Sequence, residues 1–355
     1  MASLRSFHHD ALAGRVVFGP GCARTALAAE IASLGVRRLL VVTTSRAEPL
    51  THELVAPLGD TVVGTHTDVR PHVPDEVATA ARAAARDTGA DGLLAVGGGS
   101  AIGAAKAVAL ETPMPVVAIP TTYSGSEMTP VWGLTREGEK RTGRSADVLP
   151  AVVLYDPELT MTLPAAVTVT SGMNALAHCV EACYAAGASP VTALLAAEGA
   201  GILADHLPRA VEHGADVGAR TEVLYGAYLA GSAFAVAGSD LHHRICHVLG
   251  GAYDLPHAAT HTVLLPHVTA LVEAHDPAAL YRLADAIGAD RAAHGLADLA
   301  KRLGAPTSLR ELGMADDDIP KAARLLAERL DVATPVDERS LHRLLAAAQE
   351  GPPPL

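Results

Sequence analysis

Residues 92–110 read GLLAVGGGSAIGAAKAVAL, and this stretch decides the fold. Residues 92–96 are an apolar run of strand length. Gly97, Gly98, Gly99 and Ser100 follow at once, and an Ala-rich helical pattern continues to residue 110. Strand, glycine turn and helix in that order make the βα unit of a parallel sheet. The missing Cβ atoms let a phosphate oxygen approach the backbone, and free N–H groups at a helix start attract its charge. The run is not GxGxxG, so the usual dinucleotide fingerprint is absent, and an ordinary tight βα turn fits the same letters.

The same alternation extends to both sides. Residues 15–18, 37–42, 61–66, 115–119 and 152–155 read as strands, and residues 23–34 and 74–87 as helices. A second strand end, residues 120–127 (PTTYSGSE), is rich in hydroxyls and small side chains. Ligands of such sheets bind at the carboxyl ends of strands, so two polar, glycine-containing loops there favour a nucleotide. From residue 164 onward the pattern changes to long Ala- and Leu-rich helical stretches with no convincing strand. The expected architecture is an α/β Rossmann-like domain over residues 1–160 and an all-α domain over residues 161–355, with the boundary near 156–164. The tail of Gly351 and Pro352–Pro354 is expected to fray.

Composition narrows the class. A chain of 355 residues with 49% hydrophobic content can bury a large core, and 19% charged residues do not describe a disordered chain. A net charge of -12 disfavours nucleic acid or an anionic membrane as partner. No uncharged apolar run reaches spanning length, no secretion signal opens the chain, and the cysteines at 22, 179, 183 and 246 form no CxxC pair. A reducing cytoplasm fits. Lysines number four against 23 arginines, so Lys106 and Lys140 stand out.

Six of the 17 histidines fall within residues 241–267, LHHRICHVLGGAYDLPHAATHTVLLPH. His243 and His247 are four apart and share a helix face, as do Asn174 and His178 in residues 172–178. Gly250 and Gly251 are expected to end or bend the first helix, and Pro256 to present His257 from a new start. Asn174, His178, His243, His247 and His257 would then converge. His261 and His267 read as ordinary buried or capping histidines, and His242, about a hundred degrees round the helix from His243, as a bystander.

With GGGS after a strand, PTTYSGSEMTP, GMNALAHCVEA, and HHRICHVLGG followed by DLPH in that order, the chain resembles the iron-containing alcohol dehydrogenase superfamily, and within it the maleylacetate reductases. The resemblance runs from about residue 14 to about residue 314. It implies a dehydroquinate synthase-like architecture, NADH or NADPH as hydride donor, a homodimer, and an active site in a cleft between the domains. Gly97, Gly98, Gly99 and Ser100 would hold the pyrophosphate. Thr121, Thr122 and Thr129 would line the adenine and ribose side, and Lys140 would reach the cofactor. The metal-dependent relatives hold iron with Asp and three His; those positions are Asn174, His178, His243 and His257 here. A neutral amide is a poorer ligand than a carboxylate, so metal is expected to be absent. Arg244 stands where the maleylacetate reductases have Lys, and Ala259 where they have Glu.

The implied reaction is reduction of the double bond of maleylacetate, a small anionic dicarboxylate, or a close 4-oxo-2-enoate. His243 is the expected general acid. His178, His247, His257, Asn174 and Arg244 would orient the substrate or face the developing enolate. The alternatives are a metal-dependent alcohol dehydrogenase and a relative recruited to a biosynthetic pathway with altered or non-redox chemistry. No acid follows the strand ending at Thr43, and Arg46 could tolerate a 2′-phosphate, so use of both dinucleotides is expected.

Overall fold

The computed structural model describes residues 7–136, 139–332 and 334–351, with the backbone alone at 139 and 140. It separates into two compact units. The first is Leu12–Leu163 with Gly214–Leu224; the second is Met1–Ala11, Pro164–His213 and Tyr225–Leu355.

The first unit holds a six-stranded sheet, with every neighbouring pair of strands parallel. Its strands are β1 (Arg15–Phe18), β2 (Leu39–Thr43), β3 (Val62–His66), β4 (Gly92–Gly97), β5 (Val116–Pro120) and β8 (Val152–Tyr155), in spatial order β1-β8-β5-β4-β2-β3. β2, β4, β5 and β8 are buried at every residue, which is why they read as continuous apolar runs. One face carries Leu39, Val41, Leu94, Val96, Val117, Ile119, Val152 and Leu154 into a cluster with Leu27, Ile31 and Leu54. Those last three come from helices α2 (Leu27–Ser33) and α3 (Glu48–Val55); α1 (Cys22–Thr25) precedes them. Helices α4 (Asp75–Thr88) and α5 (Gly99–Glu111) pack against each other and on the sheet. α4 starts after Pro74 with Asp75 and Glu76 in its first turn and stops at left-handed Gly89.

Two departures from the sequence reading are local. The helix expected over 23–34 breaks at Ala26, where φ is -108°. A hairpin of β6 (Val131–Arg136) and β7 (Glu139–Arg144) was not expected, because none of its described side chains is buried to impose an apolar alternation. Gly143 is required there, since a Cβ would lie 2.6 Å from the Trp132 ring.

The second unit is helical, with no strand among its described residues. Its helices are α6 (Ala165–Tyr184), α7 (Pro190–Glu212), α8 (Val217–Ala237, which begins in the first unit), α9 (Leu241–Tyr253), α10 (His257–His275), α11 (Pro277–Ala286), α12 (Ala292–Arg302), α13 (Ile319–Arg329) and α14 (Glu338–Glu350). α6 is buried through most of its length and packs against α7 and α10, and α10 packs against α9 and α12. Gly250 and Gly251 do not end α9. The helix runs through both and stops at Asp254, which adopts the left-handed conformation (φ 53°). Pro256 then caps α10 with His257 as its first residue, as the sequence suggests. Among the described residues no helix is long and apolar enough to cross a membrane. Pro352–Pro354 lie outside the described residues.

Candidate functional site

The first unit presents a backbone-built cradle. Gly97 closes β4 with φ at +146°, a conformation that L side chains rarely adopt. Gly98 is the N-cap of α5, and no side chain caps that helix. A Cβ at Gly98 would lie 3.0 Å from both Cγ2 and Oγ1 of Thr122, and one at Gly99 would lie 3.4 Å from Ser124. The glycines therefore leave room between the loop and the end of β5. Thr121 N–H donates to the Gly97 carbonyl at 3.0 Å, tying the two strand ends together. The buried Thr122 Oγ1 has no hydrogen-bond partner among the described residues. An uncapped start of a 13-residue helix beside an unsatisfied hydroxyl suits a phosphate-bearing ligand. Ser100 is in the first turn of α5, and Thr129 is buried beside Lys106. Lys140 lies on β7, but its side chain is outside the described residues.

The second unit gathers the histidines. His178 on α6 packs against Phe234 (centroids 4.4 Å apart, planes at 29°) and His243 on α9 (5.1 Å, 13°), and those two rings also touch, at 4.7 Å. His247 lies edge-on to His243 at 6.1 Å and stacks on His257 at 5.8 Å. His243 and His178 are buried, whereas His247 and His257 are half-buried. Asn174 is buried one turn before His178. Arg244 is exposed, although His242 and His243 beside it are buried.

Four groups to which the sequence reading gave no part in the site complete this cluster. Glu181, fully buried on α6, accepts from the backbone N–H of Asp240 (2.9 Å) and of His243 (3.0 Å), at the start of α9. Its other oxygen makes a very short contact to His243 Nδ1. The Asp240 side chain makes no capping bond, so a carboxylate from another helix caps α9 in its place. Burial alone would raise Glu181, but the adjoining His243, and His242 behind it, outweigh that and lower it to about 2. Its signal in the sequence is the acid seven residues after Asn174 and three after His178, on the same helix face. Phe234 supplies the apolar wall of the stack.

His242 and His261 are not bystanders. His242 Nε2 and His261 Nδ1 are 3.0 Å apart, both rings fully buried. His261 lies edge-on to His243 at 4.5 Å and to His257 at 4.4 Å. Burial lowers His242 to about 3, with Glu181 opposing, and holds His261 and His178 well below the ordinary histidine value. All three rings are therefore neutral near pH 7. No sequence spacing announces a pair 19 residues apart on two helices. His267 is buried on α10 and lowered by burial to about 4.

Comparison with known proteins places this architecture. The signature described as iron-containing alcohol dehydrogenase matches residues 13–157, and that of the Fe-containing alcohol dehydrogenase family, C-terminal, matches residues 168–343. A maleylacetate reductase of Sphingobium indicum is 45% identical over 98% of this chain and 99% of its own. The chain belongs to the iron-containing alcohol dehydrogenase family. The crystal structure of maleylacetate reductase from Agrobacterium tumefaciens superposes with a TM-score of 0.95 at 42% identity, covering 99% of this chain and all (100%) of that one. Sulfoacetaldehyde reductase from Bifidobacterium kashiwanohense, solved in complex with NAD+, shares the fold alone at 23% identity and a TM-score of 0.88, covering 97% of this chain and 99% of that one.

The family name implies a dinucleotide and, in many members, a metal. The glycine cradle fits the dinucleotide. The positions that hold iron by resemblance lack its one anionic ligand. Residue 174 is a neutral amide. The rings of His178 and His243 lie nearly parallel, at 13°. Among the described residues the donor set that does converge is His242, Cys246 and His261, with ligand atoms within 4.8 Å of one another.

Proposed function

We propose that this chain reduces maleylacetate, or a close 4-oxo-2-enoate, to 3-oxoadipate at the expense of NADH or NADPH. The observation that carries the reading is 45% identity to a maleylacetate reductase across essentially the whole of both chains. The sheet-bearing unit binds the dinucleotide, with Gly97–Ser100 at the pyrophosphate and Thr121, Thr122, Thr129 and Lys140 beside it. The helical unit binds the dicarboxylate.

Dihydronicotinamide, when bound, would supply a hydride to the alkene carbon β to the ketone. The electron pair of the double bond then moves toward the ketone oxygen, and a proton must reach the adjacent α-carbon. His243 is placed to give it. Its Nδ1 is held by the Glu181 carboxylate, so the cationic ring has a buried counter-charge and its Nε2–H remains the deliverable proton. After transfer the neutral ring keeps its Nδ1–H on Glu181. His178 stacks on His243 and fixes its plane. The Asn174 amide N–H can donate to a developing oxyanion, which a carboxylate at that position could not. The half-buried His247 and His257, with exposed Arg244, receive the substrate's carboxylates. The reading uses no metal; the neutral amide at 174, a poorer ligand than a carboxylate, supports that.

The test is an absorbance assay at the NADH band with maleylacetate. One NADH should be consumed for each 3-oxoadipate formed. No turnover of maleylacetate, with iron-dependent turnover of simple alcohols or aldehydes, would sink the reading. The homodimer is proposed on the same resemblance and is checked by light scattering.

A further inference from the structure

We propose that Lys106 is a positioning residue for the dinucleotide site: its ammonium, sealed inside the sheet-bearing unit, fastens segment 124–131 to helix α5, whose first turn carries the glycine loop. Lys106 is 0% exposed. Its Nζ donates to the carbonyls of Ser126 (2.6 Å), Thr129 (2.6 Å) and Val131 (2.9 Å) and to Thr129 Oγ1 (3.1 Å). All four acceptors are uncharged oxygens of one segment, the turn Ser126–Met128 and its exit into β6.

The arrangement has a physical logic. A buried carbonyl that loses its donor is costly, and three from segment 126–131 point at one place, that of Ser126 also accepting from the Thr129 N–H at 3.3 Å and from the Thr129 hydroxyl at 3.2 Å. A tetrahedral ammonium on a flexible stem can satisfy them together, whereas a planar guanidinium presents a wide fork. In a chain with four lysines and 23 arginines, the ammonium stands where its shape matters. Burial lowers Lys106 to about 7 against the opposing charge of Glu127. The ring of oxygens around Nζ further favours the protonated form.

The other side of the segment is also held. Fully buried Glu127 accepts from Tyr155 O–H of β8 at 2.8 Å and from Ser124 O–H at 3.4 Å. Ser124 and Thr122 are the side chains that face the positions a Cβ would take at Gly99 and Gly98. Lys106 thus sets the wall opposite the phosphate loop from two turns down the same helix. The inference rests on the dinucleotide reading for what is positioned, but not for the clamp itself.

Amide hydrogen exchange and NADH titration of the full chain test it. In Lys106→Met, peptides covering 124–131 should exchange at least about tenfold faster while those of α10 keep their rate, and the NADH Kd should rise at least about tenfold. Thr129→Val leaves the ammonium in place and removes one partner; about twofold to fivefold faster exchange, confined to the same peptides, is expected. The proposal is overturned by unchanged exchange at 124–131 in folded Lys106→Met, or by uniform acceleration across residues 12–163. It is equally overturned by a loosened segment with an unchanged NADH Kd. Should Lys106→Met not fold, a Thr129→Val protein with unaltered exchange overturns it alone. Failure of the unaltered protein to bind NADH would instead refute the dinucleotide reading, and the exchange data would still judge the clamp.

Discussion

At residues 97–100 the working groups are backbone N–H donors at the start of α5, whereas on α6, α9 and α10 they are imidazoles and one carboxylate carried by separate helices. The first site is made by what the side chains lack, within a few consecutive residues. The second is made by pairs 19 and 62 residues apart, His242 with His261 and Glu181 with His243. A backbone site tolerates little added volume and is indifferent to protonation. A side-chain site tolerates volume better but depends on which ring carries which proton.

The largest effect that sharpens this contrast belongs to the side-chain site. His243→Ala should lower NADH turnover by roughly two to four orders of magnitude, with cofactor affinity little changed. Glu181→Gln should lower it by roughly one to two orders, since the cationic ring loses its counter-charge. Near-full turnover in His243→Ala would move the acid to His178 or His257.

The backbone site comes next. Gly98→Val should raise the NADH Kd by more than about tenfold, because the new side chain fills the approach to the backbone and meets Thr122. Unchanged affinity by titration would reduce the loop to a turn.

These two expectations show how legible each region is in the sequence. The βα order, the glycine loop and the position of every sheet strand follow from local pattern, because buried parallel strands are continuous apolar runs. The hairpin β6–β7 escapes, having no buried side chain among its described residues. In the helical unit the shared faces of Asn174 with His178, and of His243 with His247, are legible from helical spacing. Glu181 was legible by the same spacing but is easily passed over, as a lone acid in an apolar helix. The His242–His261 bond is not legible at all, because nothing in one helix states which residue of another will meet it.

His242→Ala therefore does not serve as a neutral control. It leaves His261 Nδ1 buried without its partner, which should cost about 1–3 kcal/mol in denaturant unfolding and slow turnover several-fold. Full stability would show that the pair is incidental.

A pH series probes the same neutral rings. His178, His242, His261 and His267 are held below the ordinary histidine value of 6.5 in the folded chain. As pH falls through 6.5, the unfolded chain takes up protons that the folded one refuses, so stability falls, by about 1.4 kcal/mol per pH unit for each such ring. The contribution of Glu181, lowered to about 2, is intact above its ordinary 4.5 and is lost only as pH falls toward 2. Stability that stays flat between pH 6.5 and 5 would contradict the neutral assignment.

The smallest expected effect is none. Chelation should leave turnover unchanged, and elemental analysis should find well under one equivalent of iron or zinc. One retained ion per chain with chelator-sensitive activity would overturn this, and its loss in Cys246→Ser would locate it at His242, Cys246 and His261.

Glu181 gives one carboxylate oxygen to the helix start and the other to the proposed acid. In many enzymes a polar group kept for chemistry weakens the fold, and its removal trades activity for robustness. Here that exchange is closed. Replacing Glu181 strips the cap from α9 in the same stroke as it releases His243, so selection for either property preserves the other. A search for stabilised variants should find this position silent, while the exposed neighbour Arg244 remains open to change.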